Sequence, residues 1–176
     1  RVMKYVVDTP ERGMFLNPTG VWDGKDQNFE FQVRGISDLE YMKDKESRHS
    51  VGGHVVYLND DPVSTCCKMQ QIVCALVTEA ELIQAVECAH DMLFVYRLLS
   101  DMGLKVAMPM ILEMDNQGAI DIINNWSSTG RTRHIDARLK LLREYKEADV
   151  IRPVWRASDE NESDMLTIAE VRRQEC

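Results

Sequence analysis

The amino-acid sequence predicts an α/β fold in which a mixed five-stranded sheet carries helices on its faces. Three observations support that expectation. Apolar and polar residues alternate with period two early in the chain, a capped helical pattern runs through its middle, and short apolar stretches alternate with helical ones toward its end. The length of 176 residues suits one ordinary domain with extensions, and a hydrophobic share of 44% beside a charged share of 28% suits a globular protein with a sizeable core.

Residues 1–28 combine Pro10, Pro18, Gly13, Gly20 and Gly24 with scattered apolar residues, the composition of turns and a short hairpin, and are read as a connector. The domain is expected over residues 29–176. Phe29, Phe31 and Val33 alternate with Glu30, Gln32 and Arg34 as in a half-buried strand, which closes at Gly35-Ile36-Ser37-Asp38 and leaves Asp38 at or just past its end. The charged stretch Lys43 to Arg48 makes a turn and Gly53 to Leu58 a second strand. Asn59-Asp60-Asp61-Pro62 turns the chain again into a third strand, Val63 to Lys68, which completes an antiparallel meander.

Thr78, with Glu81 three residues on, has capping-box spacing, and the helix it opens is apolar around most of its circumference from Leu82 to Leu99 before a Met102-Gly103 stop. Such a helix belongs in the middle of a domain, covered on several sides. Met108 to Met114 is short and apolar, as a buried strand is, and Asp115-Asn116-Gln117-Gly118 opens a helix through Trp126. A helix from about His134 to Ala148 sets Leu139, Leu142 and Tyr145 on one side. Val150 to Trp155 is the last strand, and a final helix starts near Ser163.

Several classes are excluded or disfavoured. No apolar run approaches the roughly 18 residues of a membrane span, so no membrane partner is expected. The N-terminus lacks the apolar stretch and cleavage site of a signal peptide, and Arg1 in place of an initiator Met suggests a fragment. Five cysteines, at positions 66, 67, 74, 88 and 176, show neither a C-x-x-C pair nor zinc-ligand spacing, so reduced thiols in an intracellular setting are expected. No glycine-rich phosphate loop or nucleophile elbow is present. The net charge of −8 opposes general polyanion binding across the chain, though not at one face.

Four acids fall at element ends: Asp38 after the first strand, Glu81 early in the central helix, Asp115 after the fourth strand and Asp164 at the start of the last helix. Glu81 shares a helix face with Ala85, Cys88 and Met92, so its carboxylate points to the buried side. A buried carboxylate protonates or holds a cation, and several converging carboxylates make a site for a hard divalent ion such as Mg²⁺ or Mn²⁺, the chemistry of phosphodiester hydrolysis. The alternative is that these acids are caps and helix-dipole partners, common among 29 acidic residues.

The wording of the motifs resembles the ribonuclease H region of copia-type LTR retrotransposon Pol polyproteins. Gly35-Ile36-Ser37-Asp38, with Lys43-Asp44 and Arg48-His49-Ser50-Val51-Gly52-Gly53, looks like the family's first-strand motif, and Thr78-Glu79-Ala80-Glu81 like its central-helix motif. Met114-Asp115-Asn116-Gln117-Gly118-Ala119-Ile120, Thr132-Arg133-His134-Ile135-Asp136 and Asn161-Glu162-Ser163-Asp164-Met165-Leu166-Thr167 follow in the family's order. The resemblance covers roughly residues 29–167, and Val2 to Gly13 looks like the end of a preceding reverse-transcriptase region. It implies a ribonuclease H-like fold, Asp38, Glu81, Asp115 and Asp164 as catalytic and metal-binding acids, with Glu81 rather than Glu79, and two Mg²⁺ ions for which Mn²⁺ can substitute. The implied partners are an RNA–DNA hybrid and the reverse-transcriptase domain of the same polyprotein, within a cytoplasmic retrotransposon particle. The chain departs from the family at Met42, at Leu76 and after Thr167.

Between Gly130 and Arg143, the basic residues Arg131, Arg133, Arg138, Lys140 and Arg143 face a single acid, Asp136, and Arg131, Arg133, His134, Arg138 and Lys140 are candidates for tracking a phosphate backbone. A solvated helix face is the plainer reading. His134 is a candidate for proton transfer or for a structural hydrogen bond. Trp22, Trp126 and Trp155 are candidates for stacking or for packing. The leading hypothesis is a two-metal nuclease cutting the RNA strand of RNA–DNA hybrids during reverse transcription. Its rival is a catalytically silent nucleic-acid-binding or structural module from a decayed element. An integrase-like strand transferase requires a different order of acids.

Overall fold

A computed structural model of the chain describes residues 19–20, 22–26, 28–42, 48–125 and 133–157, the side chains of 133–137 excepted. Most of the expected connector, residues 43–47 of the expected turn and the helix expected near Ser163 lie outside the described residues. The main sheet contains β2 (Val33–Glu40), β3 (Val51–Leu58), β4 (Asp61–Met69), β6 (Met110–Met114) and β7 (Ile151–Trp155), in the order β4-β3-β2-β6-β7. The first three form the expected antiparallel meander, and β6 and β7 extend it in parallel from β2. Two short strands, β1 (Glu30–Phe31) and β5 (Lys105–Val106), pair separately. Helices α1 (Val77–Asp101), α2 (Gln117–Asn124) and α3 (Arg133–Glu147) complete the described elements.

Several boundaries differ from the sequence expectation, among them the end of α2, which stops at Asn124 where the sequence suggested Trp126. The alternating run from Phe29 breaks at Gln32, because its N–H donates to the Asn59 side chain and its carbonyl accepts from the Asn59 N–H, both at 2.9 Å. Asp38 then lies inside β2 rather than at its end, since the ladder to β3 continues to Glu40 opposite Val51. Thr78 does not cap α1; Leu76 holds the N-cap position with no side-chain cap bond. At α2 the cap is Asn116, whose side chain accepts from the Ala119 N–H at 3.0 Å. The β3–β4 hairpin turns at Asn59 and Asp60, with φ of 49° and 66°, the left-handed pair of a two-residue loop. Pro62 falls within β4, an edge strand, where a missing donor is tolerated.

Helix α1 lies across β2 and β3 at close range. Glycines make the approach possible: a Cβ on Gly35 would sit 2.7 Å from Cys88 Sγ and 2.5 Å from Met92 Sδ, and one on Gly52 would sit 1.9 Å from Gln84 Oε1. Every residue from Ala80 to Val86 is buried, as expected of a central helix. In the second half one face opens: Phe94, Leu98 and Met102 stand exposed at i, i+4 and i+8, while Leu93 and Leu99 stay buried on the inward side.

The main core joins Val33 and Val56, the α1 residues Leu82, Val86, Met92 and Leu93, the strand residues Met110, Leu112 and Met114, and Ile120, Ile123, Leu139 and Leu142 of α2 and α3. Strand alternation turns Ile36, Val55 and Tyr57 to the other face, where they form a separate buried cluster. Between α1 and the meander, buried His54 is held by Gln84 at Nδ1 (2.9 Å) and Asp91 at Nε2 (3.0 Å), and Ser64 also donates to Asp91 at 3.1 Å. These bonds satisfy polar groups that burial would otherwise penalise. Among the described residues Cys66, Cys74 and Cys88 are free thiols. Among the described residues no helix is long and apolar enough to cross a membrane.

Candidate active site

Three of the four acids singled out in the sequence are described, and the topology brings them to one end of the sheet. Strands β2 and β6 are parallel neighbours whose paired positions end at Ser37 opposite Met114. Asp38 and Asp115, the residues that follow this last pair, therefore lie at the same end of the central parallel pairing. Asp38 is buried within β2, whereas Asp115 is half-buried in the turn between β6 and α2.

Glu81 reaches the same place from above. It lies in the second turn of α1, 5% exposed, on the face it shares with fully buried Ala85, Cys88 and Met92. The first turns of α1 and α2 meet at Gly118, where a Cβ would lie 3.8 Å from Thr78 Oγ1, so Glu81 descends beside the turn that carries Asp115. Burial, followed by the negative charges of Asp115 and Asp38, pushes the Glu81 carboxyl up to about 9. A buried carboxyl set beside two other carboxylates in this way favours holding a proton or a cation.

The donor chemistry fits a hard divalent ion, which takes carboxylate oxygens. Among the described residues, however, no group of three or more His, Cys, Asp or Glu side chains is drawn close enough to hold a metal ion. Asp164 lies outside the described residues.

The basic segment divides. Arg131 lies outside the described residues, and Arg133 and His134 open α3 with side chains that also lie outside them. Arg138 is half-buried and close enough to Cys74 for its charge to act on that thiol, which burial and then Glu79 push up while Arg138 opposes them. The basic helix thus packs near the loop that leads into α1 and Glu81. Lys140 is exposed, with a 3.7 Å ion pair to Glu144 one turn on. Arg143 is structural: its guanidinium donates to the carbonyls of Ile122, Ile123 and Asn125 at the end of α2.

Sequence reasoning missed two features of this region. On the sheet face away from α1, Glu113 receives Arg34 at 3.3 Å together with Arg156, and Arg34 stacks 4.3 Å from the Tyr57 ring centre, so these arginines are committed within the fold. At the end of β7, Trp155 donates its indole N–H to the Asp115 carbonyl at 3.1 Å. No sequence signal marks either one, because the hydrogen-bonded partners lie 40 or more positions apart.

No protein-family model matches the chain. Among curated proteins, it is 31% identical over 135 residues, 77% of its length, to the retrovirus-related Pol polyprotein from transposon TNT 1-94 of Nicotiana tabacum. It is 26% identical over 167 residues, 95% of its length, to the Pol polyprotein from transposon RE1 of Arabidopsis thaliana. The chain spans 10% and 11% of the lengths of these relatives. Among solved structures, LC11 ribonuclease H1, isolated from compost by a metagenomic approach, superposes with a TM-score of 0.60 at 12% identity, over 82% of this chain and 99% of that one. The same protein has been solved in complex with an RNA/DNA hybrid, and that structure matches with a TM-score of 0.56 at 11% identity, over 82% of this chain and 100% of that one. The chain is therefore a ribonuclease H-fold domain related to the retrovirus-related Pol polyproteins of transposons.

Proposed function

We propose that the domain is a metal-dependent endonuclease that hydrolyses the RNA strand of RNA–DNA hybrids during retrotransposon reverse transcription. The observation that carries this reading is the convergence of Asp38, Glu81 and Asp115 at the carboxyl end of the central parallel strands, with Glu81 pushed far above the usual carboxylate range. Asp38, Glu81 and Asp115, joined by Asp164, would hold two Mg²⁺ ions, or Mn²⁺ in their place. Bound there, the ions supply charge neutralisation at the scissile phosphate and a lowered pKa for the attacking water. The chain itself orients and neutralises. Asp38 is fixed within β2, Asp115 in the turn that follows β6, and Glu81 on a helix seated closely on the sheet.

The hybrid in the LC11 complex supports the substrate class, and the Pol polyprotein relatives support a transposon polyprotein setting. The resemblance of the motifs is what adds a neighbouring reverse-transcriptase domain, a copia-type element and a cytoplasmic particle to the proposal. Hybrid recognition would use groove shape and 2′-hydroxyl contacts, with Arg131, Arg133, His134, Arg138 and Lys140 following the phosphates. The second reading, a catalytically silent module, is favoured by the lack, among the described residues, of three or more His, Cys, Asp or Glu side chains close enough to share a metal ion.

Incubating the chain with an end-labelled RNA–DNA hybrid, with Mg²⁺, with Mn²⁺ and with chelator, separates the two. Metal-dependent cleavage of the RNA strand that disappears in Asp115→Asn supports the nuclease. Hybrid binding without turnover supports the silent module, and full activity in Asp115→Asn removes the proposed site.

A further inference from the structure

Trp126 lies outside the described residues, and the two described tryptophans differ from one another. Trp22 packs its ring edge-to-face on Phe31, with centroids 5.7 Å apart, as a structural aromatic does. Trp155 has no aromatic ring contact among the described residues and is 53% exposed, although its N–H is already satisfied by the Asp115 carbonyl. What it shows to solvent is thus apolar ring surface held in one orientation. Fixing the ring in advance removes much of the ordering cost of using it in recognition.

Its place gives that surface a use. Trp155 ends β7 level with Met114, the residue before Asp115, and is tied to Asp115 itself. Successive phosphates of a strand advance only about 3.4 Å along a helix axis, so a phosphodiester held at Asp115 brings its neighbouring sugar within reach of the ring. An A-form-like duplex buries its base faces in the stack but displays its sugars along a wide, shallow minor groove. A flat indole face fits such a surface.

We propose that Trp155 is a substrate-contacting residue, its exposed ring lying against a sugar of the hybrid next to the phosphodiester held at Asp38, Glu81 and Asp115. This inference rests on the nuclease reading above and adds a contact that no charge or motif in the chain marks. Because the contact is apolar, its contribution is independent of salt, unlike that of a lysine or arginine on a phosphate.

The test is fluorescence anisotropy of a labelled RNA–DNA hybrid with the full chain in chelator, over a series of salt concentrations. Trp155→Leu is expected to weaken binding about fivefold or more, the lower range for loss of an aromatic contact to nucleic acid. Trp155→Phe should restore most of the affinity, and the slope of log affinity against log salt should be the same in all three proteins. Equal affinity of Trp155→Leu and the unsubstituted chain overturns the proposal while leaving the nuclease reading intact; no hybrid binding by the unsubstituted chain overturns both. A second readout needs no destabilising change. In protein carrying 5-fluorotryptophan, the fluorine resonance missing from the Trp155→Phe spectrum should shift when hybrid is added, and an unmoved resonance also overturns the proposal.

Discussion

Replacing Glu81 by Gln, at constant shape, removes an ionisable group that burial, Asp115 and Asp38 hold up to about 9, against an ordinary value of 4.5. The sign follows from linkage. Below the ordinary value the carboxyl is protonated in both the folded and the unfolded chain, and ionisation costs nothing. As pH rises above it, the unfolded chain releases a proton that the folded chain keeps, so stability falls by about 1.36 kcal/mol per pH unit until the folded carboxyl itself ionises. Near neutral pH, about 2.5 units above the ordinary value, the accumulated loss is about 3 kcal/mol, on the order of 6–12 °C in Tm for a domain of this size. Urea unfolding of both proteins in chelator, from about pH 4.5 to about pH 8, measures it. The low-pH difference sets the baseline for altered packing and hydrogen bonding, and Glu81→Gln should then gain on the unsubstituted chain with each unit of pH. A difference that stays flat across the range refutes the reasoning, because it would mean that Glu81 ionises as freely in the fold as out of it. Mg²⁺ should offset most of that difference, since an ion bound to the carboxylate form stabilises by about 2.7 kcal/mol at a hundred times its Kd.

Other substitutions test the packing and the basic helix. Gly35→Ala forces a Cβ against Cys88 and Met92 and should destabilise the domain by about 1–3 kcal/mol in chemical denaturation, with hybrid cleavage falling as α1 lifts from β2. Arg143→Ala leaves the carbonyls at the end of α2 without their donor; a loss of about 1–3 kcal/mol is expected, with little change in the salt dependence of hybrid binding. Lys140→Ala should do the opposite, altering stability by less than about 0.5 kcal/mol because its pair with Glu144 is exposed, and reducing the salt slope by about one. An unchanged slope in Lys140→Ala would assign that lysine to the solvated face alone.

Much of the molecule was legible in local pattern. Period-two alternation located the meander, the apolar spacing of Leu82 to Leu99 located α1, and Leu139, Leu142 and Tyr145 marked the inward side of α3, because backbone geometry ties each periodicity to one kind of element. Helix spacing alone also turned Glu81 inward beside Ala85, Cys88 and Met92. The tertiary structure decided what depends on partners distant in the chain. Asn59 breaks the first strand at Gln32, Gly35 and Gly52 let α1 settle onto the sheet, and Arg143, one of several similar basic residues, is committed to the end of α2. Asp38 and Asp115 come to the same end of the sheet because β2 and β6 pair in parallel and in register, a matter of hydrogen bonding between residues more than seventy positions apart. The same pairing on the other side of β6 sets Trp155 beside Asp115, where its fixed, exposed ring distinguishes it from the packed Trp22. The sequence by itself thus determined which residues face inward and which acids were available, since those follow from local backbone geometry. Which of them share a site was decided only by the sheet register and the seating of α1, since contacts across the chain carry no periodic signature.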